Sequence, residues 1–368
     1  MADYSLKYST DKGEFYKVLH KRVNEYFKVE GINRHANSRM VIKTTIMLSL
    51  YFLPLIYILF GSVSNTGLLL GLWTIMGIGM SGIGLSVMHD ANHGSYSSNK
   101  TVNYLLGFVL NFLGGYHNNW KIQHNVLHHS YPNVDGYDDD IFKPGVFRMS
   151  PSQPRSKHFR FQAFYAPVLY SIMSIYWFLW KDFEQLNRYR DRDLLKTQGI
   201  TYSKAVLWVI FHKIWYIGLT IVLPILVTPL PWWQNVLGFI IMHVMTGLAL
   251  ALIFQAAHVI EETHFYEPID GVSLENNWAI HQMKTTANFA RTSGFFSWFI
   301  GGLNYQIEHH LFPNICHVHY RKLSKIVKST AQEFNVPYYE HTTFLQALKS
   351  HFSLLHKLGT GSYDHQLT

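Results

Sequence analysis

The chain has 368 residues, 48% of them hydrophobic and 16% aromatic but only 15% charged. Soluble domains carry about 25% charged residues, so this composition excludes an ordinary soluble domain and points to a membrane protein. The formal charge of +8 is what Lys- and Arg-rich cytoplasmic loops give, and no nucleic-acid partner is implied.

In chain order, residues 1–40 are polar and basic, with no signal peptide, and read as a cytoplasmic N-terminal segment. Apolar runs at about 43–62 and 66–88 are each long enough to cross a bilayer. HDANH follows directly, placing His89 and His93 one helical turn apart on one face. A shorter apolar piece at 104–113 reads as interfacial. HNVLHH then brings His124, His128 and His129 close together, and the Asp138–Asp140 run after it reads as a solvated loop.

The apolar segment at 162–180 is flanked by Arg155, Lys157 and Arg160 on one side and Lys181, Arg188, Arg190 and Arg192 on the other. Two more spans are expected at 206–228 and 233–257. Lys213 in the third is placed to reach toward headgroups. His258 ends the fourth span and His243 lies well inside it. TTANF (Thr285–Phe289) precedes QIEHH, which carries Gln306, His309 and His310, and residues 326–368 read as a cytoplasmic C-terminal segment. The single cysteine, Cys316, excludes an internal disulfide and a thiolate cluster.

The turns at 62–66 and 229–232 carry no charge, in contrast to the basic clusters on both sides of 162–180. Counting them puts those two turns outside and everything else in the cytoplasm. The segment at 162–180 then enters and leaves on one side, as an interfacial or re-entrant helix. A metal constraint made independently agrees. One centre shared by all three clusters requires an even number of crossings between His129 and Gln306. The expected fold is an all-α membrane protein with four transmembrane helices as two hairpins, interfacial helices, and a cytoplasmic helical cap holding a dinuclear metal site. Residues 41–325 form the membrane domain.

Three crowded imidazoles in one cluster are unfavourable unless a cation compensates. Together the clusters offer more nitrogens than one four- to six-coordinate ion uses. That excess favours two metals, of a kind suited to imidazole: zinc, copper, iron or nickel. Asp90, Glu261, Glu262 and Glu308 adjoin the clusters and are placed to orient histidines, as second N–H acceptors commonly do. Asn288 and Gln306 are further possible ligands or supports. His117, His264 and His281 lie near polar turns and are weak candidates. The six basic residues Arg155, Lys157, Arg160, Arg188, Arg190 and Arg192 are candidates for a phosphate-bearing headgroup. Trp177, Trp208, Trp215 and Trp298 suit either an acyl channel or the membrane interface.

HDANHGS, HNVLHHSYPN and NYQIEHHLFP, in this order among these spans, resemble the membrane-bound fatty acid desaturases over roughly residues 40–325. That resemblance implies two irons held by His89, His93, His124, His128, His129, His309 and His310, with His258 matching a further family ligand after the fourth span. It implies dioxygen as co-substrate and a fatty acyl-CoA or phospholipid acyl chain that acquires a cis double bond. Glutamine at Gln306, where many members have histidine, is typical of front-end enzymes, which act toward the carboxyl end. Such enzymes often carry a fused cytochrome b5. About 40 residues before the first span are too few for that domain, and no HPGG motif occurs. Electrons are therefore expected from a separate donor of ferredoxin or cytochrome b5 type with its reductase. The expected location is a bacterial inner membrane rather than the endoplasmic reticulum, with the catalytic side cytoplasmic. A hydroxylase or related oxygenase on the same scaffold is the alternative. A membrane metal transporter is a remote one, because its ionisable groups belong near the midplane rather than past the helix ends.

Overall fold

Among the described residues, four helices in the computed structural model are long and apolar enough to cross a membrane: Ser38–Phe60, Thr66–Asn92, Tyr202–Val227 and Trp232–His258. The structure describes residues 6–9, 13–269 and 273–363. Each of the four overlaps an expected span: the second and fourth enclose theirs, and the first and third begin earlier and end one or two residues short. The first starts at Ser38 because Asn37 caps it, its side chain accepting from Met40 N–H. The second starts behind Asn65, which accepts from Leu68 N–H at 2.9 Å. It continues past the apolar run through His89 to Asn92.

The first two spans pack at glycine-to-backbone distance. A Cβ on Gly79 would stand 2.6 Å from the backbone nitrogen of Tyr51, and one on Gly82 would meet the sulfur of Met47. Small residues at the contact let two apolar helices gain dispersion energy where lipid offers no hydrophobic driving force. The outward faces carry Leu53, Phe60, Leu207, Ile214 and Leu226, all exposed. Such a surface is favourable only against hydrocarbon. This is a membrane protein.

The fifth apolar segment is not one straight helix. Lys157–Ser171 and Met173–Asp191 meet at a 60° bend. The second limb holds the acid that corrects the expectation for Lys213. Rather than reaching toward headgroups, Lys213 is 8% exposed. Its ammonium donates to the carboxylate of buried Asp182 at 2.5 Å and to the carbonyls of Gly114 and Trp177. His243 is buried and hydrogen-bonded, to Ser174 Oγ at 2.9 Å and Tyr216 OH at 2.8 Å.

Two units make up the described chain. Ala36–Ile122 and Val168–Ala251 form a span unit. The chain up to His35, Gln123–Pro167 and everything from Leu252 onward form a histidine unit. The histidine unit is thus assembled from three separated stretches. Its core joins Phe15, Leu19, Val23 and Phe27 from the Gly13–Glu30 helix to Leu323 and Val327 from Tyr320–Glu333, with Met283, Ile307 and Leu311 between them. A two-stranded parallel pairing, Ala287–Phe289 with Tyr339–His341, ties TTANF to the C-terminal part. The Phe344–Thr360 helix starts at a capping box in which Thr343 and Gln346 satisfy each other's backbone.

Candidate metal centre

The second histidine cluster is wound more loosely than an α-helix. Ile122–His128 is a π-helical turn, and His129 N–H donates to His124 O at 2.9 Å, five residues back. On an α-helix the i, i+4 and i+5 positions would spread across a face and its edge. With the wider π winding both later residues fall beneath the first. His124, His128 and His129 accordingly turn their rings into one buried space, 5.4 and 4.7 Å from the His124 ring.

Within the histidine unit two triads result. His128, His258 and His310 offer ring nitrogens that all lie within 4.8 Å of one another. Their ring centres are 4.6, 4.9 and 4.7 Å apart. The other triad is His124, His129 and His309, where His129 Nε2 lies 2.9 Å from His309 Nε2 and 3.2 Å from His124 Nε2. The triads adjoin: the His129 and His310 rings stack at 4.3 Å. In the span unit, His89 and His93 form a pair with ring centres 4.8 Å apart, each meeting Trp120 edge-on.

The far side of each ring decides what the near side can do. His128 Nδ1 donates to Asp138 at 3.1 Å, His258 Nδ1 to the Thr285 carbonyl at 3.1 Å, and His310 Nδ1 to Gln282 Oε1 at 2.8 Å. Those acceptors fix the Nδ1–H tautomer and turn the Nε2 lone pairs inward. The Nε2 atoms of His128 and His258 are buried and have no hydrogen-bond partner. Bare, convergent imidazole nitrogens held by outer acceptors are the donor set of a metal site, and two adjoining triads suit two ions. His309 Nδ1 is likewise engaged, 3.1 Å from the Tyr320 hydroxyl.

Asp138 corrects the sequence reading. It is not in a solvated loop but fully buried, and it also accepts from the backbone of Asn133 and Asp140. Its role had no local signal, since it lies ten residues from His128. Replacing Asp138 by alanine is expected to weaken metal binding about 10- to 100-fold. Chelator competition on purified protein measures it, and unchanged affinity would remove Asp138 from the site.

The other expected residues divide. Glu308 is buried beside His309, but its oxygens accept from Asn288 Nδ2 at 2.8 Å and Tyr338 OH at 3.0 Å. Burial pushes its pKa up to about 7 against those two donors. Asn288 also accepts from Ile307 N–H, so it ties strand to helix. Gln306 is 1% exposed, and neither end of its amide has a hydrogen-bond partner. Asp90 lies 3.8 Å from His89 Nδ1. Glu261 and Glu262 do not serve the histidines: they bind Lys357 with Ser353, and Ser350 with His341, on or near the C-terminal helix.

His117, His264 and His281 bond instead to Asn111, Tyr339 and the Pro132 carbonyl. Of the basic candidates, Arg155 donates to Thr360 O, Arg160 stacks on Phe161, and Arg190 pairs with Asp191. Arg188 lies over Tyr189, Lys157 is exposed and Arg192 is half-buried. Gln282, Thr285 and Tyr320 were missed, because their partners are 28, 27 and 11 residues away.

A model of the fatty acid desaturase family matches residues 65–342. The chain belongs to the fatty acid desaturase family. It is 38% identical to an sn-1 linoleoyl-lipid 6-desaturase of Synechocystis sp., over 96% of this chain and 98% of that one. A protein of the same description from Arthrospira platensis is 35% identical over 94% and 92% of the two chains. An acyl-lipid (8-3)-desaturase of Physcomitrium patens is 35% identical over 96% and 74%. As a desaturase the chain is an oxidoreductase of lipid metabolism, and it carries histidine clusters able to hold a metal.

Proposed function

We propose that the protein is an acyl-lipid desaturase with front-end regiochemistry, holding two irons through His89, His93, His124, His128, His129, His258, His309 and His310. The observation that carries this is the His128, His258 and His310 triad, each ring held at Nδ1 by an outer acceptor, with His124, His129 and His309 adjoining it. The irons supply, when bound, the dioxygen chemistry that removes hydrogen from an unactivated methylene, which no side chain can do. The protein's own part is to fix the ring tautomers, exclude bulk water and place one C–C bond of the acyl chain.

Front-end action is supported by Gln306 and by relatives named as 6- and (8-3)-desaturases. A lipid-linked rather than CoA-linked acyl chain is supported by the same names. A narrow apolar cavity in the span unit, lined by Met80, Gly84, Met88, Leu110, Trp177 and Leu250, begins one residue before His89. The uncharged turns at 62–66 and 229–232 support a cytoplasmic histidine side, with residues 41–325 as the membrane domain and two electrons arriving from a separate donor.

Gas chromatography–mass spectrometry of lipids from a host expressing the chain, with a competent reductase and candidate acyl chains supplied, tests this. A new cis double bond on the carboxyl side of an existing one is expected. Hydroxylated products would move the chain to the oxygenase alternative, and an unchanged profile with iron loaded would defeat both.

A further inference from the structure

The Tyr320–Glu333 helix runs against an electrostatic preference. Helix N-termini carry partial positive charge, so acidic residues stabilise the first turn and basic ones cost stability. This helix has no acid in its first turn and instead opens with Arg321 and Lys322, followed by Lys325 on the same face. All three are exposed, and none has an acidic partner among the described residues. Neighbouring cations are compensated. Lys17 and Lys21 on the Gly13–Glu30 helix lie 3.9 Å from Glu14 and Glu25, Arg22 is 2.7 Å from Glu333, and Lys328 pairs with Glu340. Lys28 aside, the uncompensated charge of these two helices is therefore gathered on one turn.

That turn is also joined to the histidine cluster. Tyr320, the residue before Arg321, is 1% exposed. Its hydroxyl lies 3.1 Å from His309 Nδ1, and His309 Nε2 lies 2.9 Å from His129 Nε2. One buried side chain thus separates an exposed basic patch from the candidate metal ligands.

We propose that Arg321, Lys322 and Lys325 form the docking surface for an acidic one-electron carrier protein. The inference rests on the desaturase reading. Dioxygen takes up four electrons in becoming two waters. Two come with the hydrogens from the two broken C–H bonds, and the other two come from the carrier with two protons from solvent. The carrier gives up one electron per encounter and must dock twice per turnover. Weak, fast, charge-steered encounters meet that need, and redox partners use small interfaces. An anionic lipid surface would use the same cations but would have no use for their link through Tyr320 to His309.

The test uses the iron-loaded enzyme in nanodiscs of zwitterionic lipid, with a plant-type ferredoxin and the soluble domain of a cytochrome b5 as acidic probes. The R321E/K322E/K325E variant is expected to raise the Kd of the better probe about 10-fold or more, with the parent's affinity falling as salt rises. K17E/K21E/K28E, an equal change of charge on the other helix, is expected to stay within about twofold. Product formed with a small chemical reductant should match the parent in both variants. Failure of both probes to bind the parent, or equal Kd in parent and first variant, overturns the proposal. So does a difference seen only in discs of anionic lipid, which assigns the patch to the membrane. A parent that binds a probe but makes no product with any reductant defeats the desaturase reading instead.

Discussion

The His258→Ala protein is expected to lose most of its iron and to form product at under about 1% of the parent rate. The loss should exceed the about 10- to 100-fold cost of removing an outer-sphere partner, because a ligand itself is taken away. The prediction starts from position. His258 is the last residue of the fourth span, is 4% exposed, and donates from Nδ1 to the Thr285 carbonyl. Its Nε2 has no hydrogen-bond partner, and its ring lies 4.6 Å from His128 and 4.7 Å from His310. A buried imidazole nitrogen left bare costs free energy unless a ligand fills it. His243, on the same helix, supplies the contrast, since both its nitrogens are bonded to Ser174 and Tyr216. His243→Ala should therefore lower thermal stability while leaving iron per folded chain unchanged. Metal analysis of both proteins beside a thermal melt separates the outcomes. Full iron in His258→Ala would strike that residue from the ligand set.

What the sequence could and could not show follows from the range of each interaction. Four spans and three boxes were legible because hydropathy and i, i+4 spacing are local properties. The helix ends were less so: Asn37 and the polar run His89–Asn92 extend two spans beyond their apolar runs through capping and continued winding. The π turn at Ile122–His128 leaves no mark in composition, yet it is what brings both His128 and His129 beneath His124. Partners set by tertiary structure were illegible in the same way. Asp138 looked like one acid in a soluble run, and Gln282 and Tyr320 had no pattern pointing to His310 and His309. Glu261 and Glu262 erred in the other direction, since closeness in sequence to His258 suggested a role that Lys357 and Ser350 absorb.

Lys213 is the case in which a hydropathy reading misjudged a charge, and it carries the second large effect. Lys213→Ala is expected to destabilise the detergent-solubilised protein by about 3–5 kcal/mol, because it leaves the Asp182 carboxylate buried without its cation. Asp182 is fully buried, and Lys213 also donates to the carbonyls of Gly114 and Trp177, so one ammonium joins the third span, the bent helix and the 114–119 connection. Replacing both charges, as K213M/D182L, removes the desolvation cost as well as the attraction. It still strands the Trp177 indole N–H, which donates to Asp182 at 3.1 Å. The double variant should therefore lose less than the single one, about 1–3 kcal/mol for that donor plus the bonds Lys213 made to the Gly114 and Trp177 carbonyls. Denaturation in micelles reads the difference directly. If the double variant is at least as unstable as the single one, the pair's contribution is packing rather than charge compensation. Recovery in the double variant, with iron content unchanged, would show that Lys213 serves to neutralise the buried Asp182 carboxylate and that the pair takes no part in the metal site.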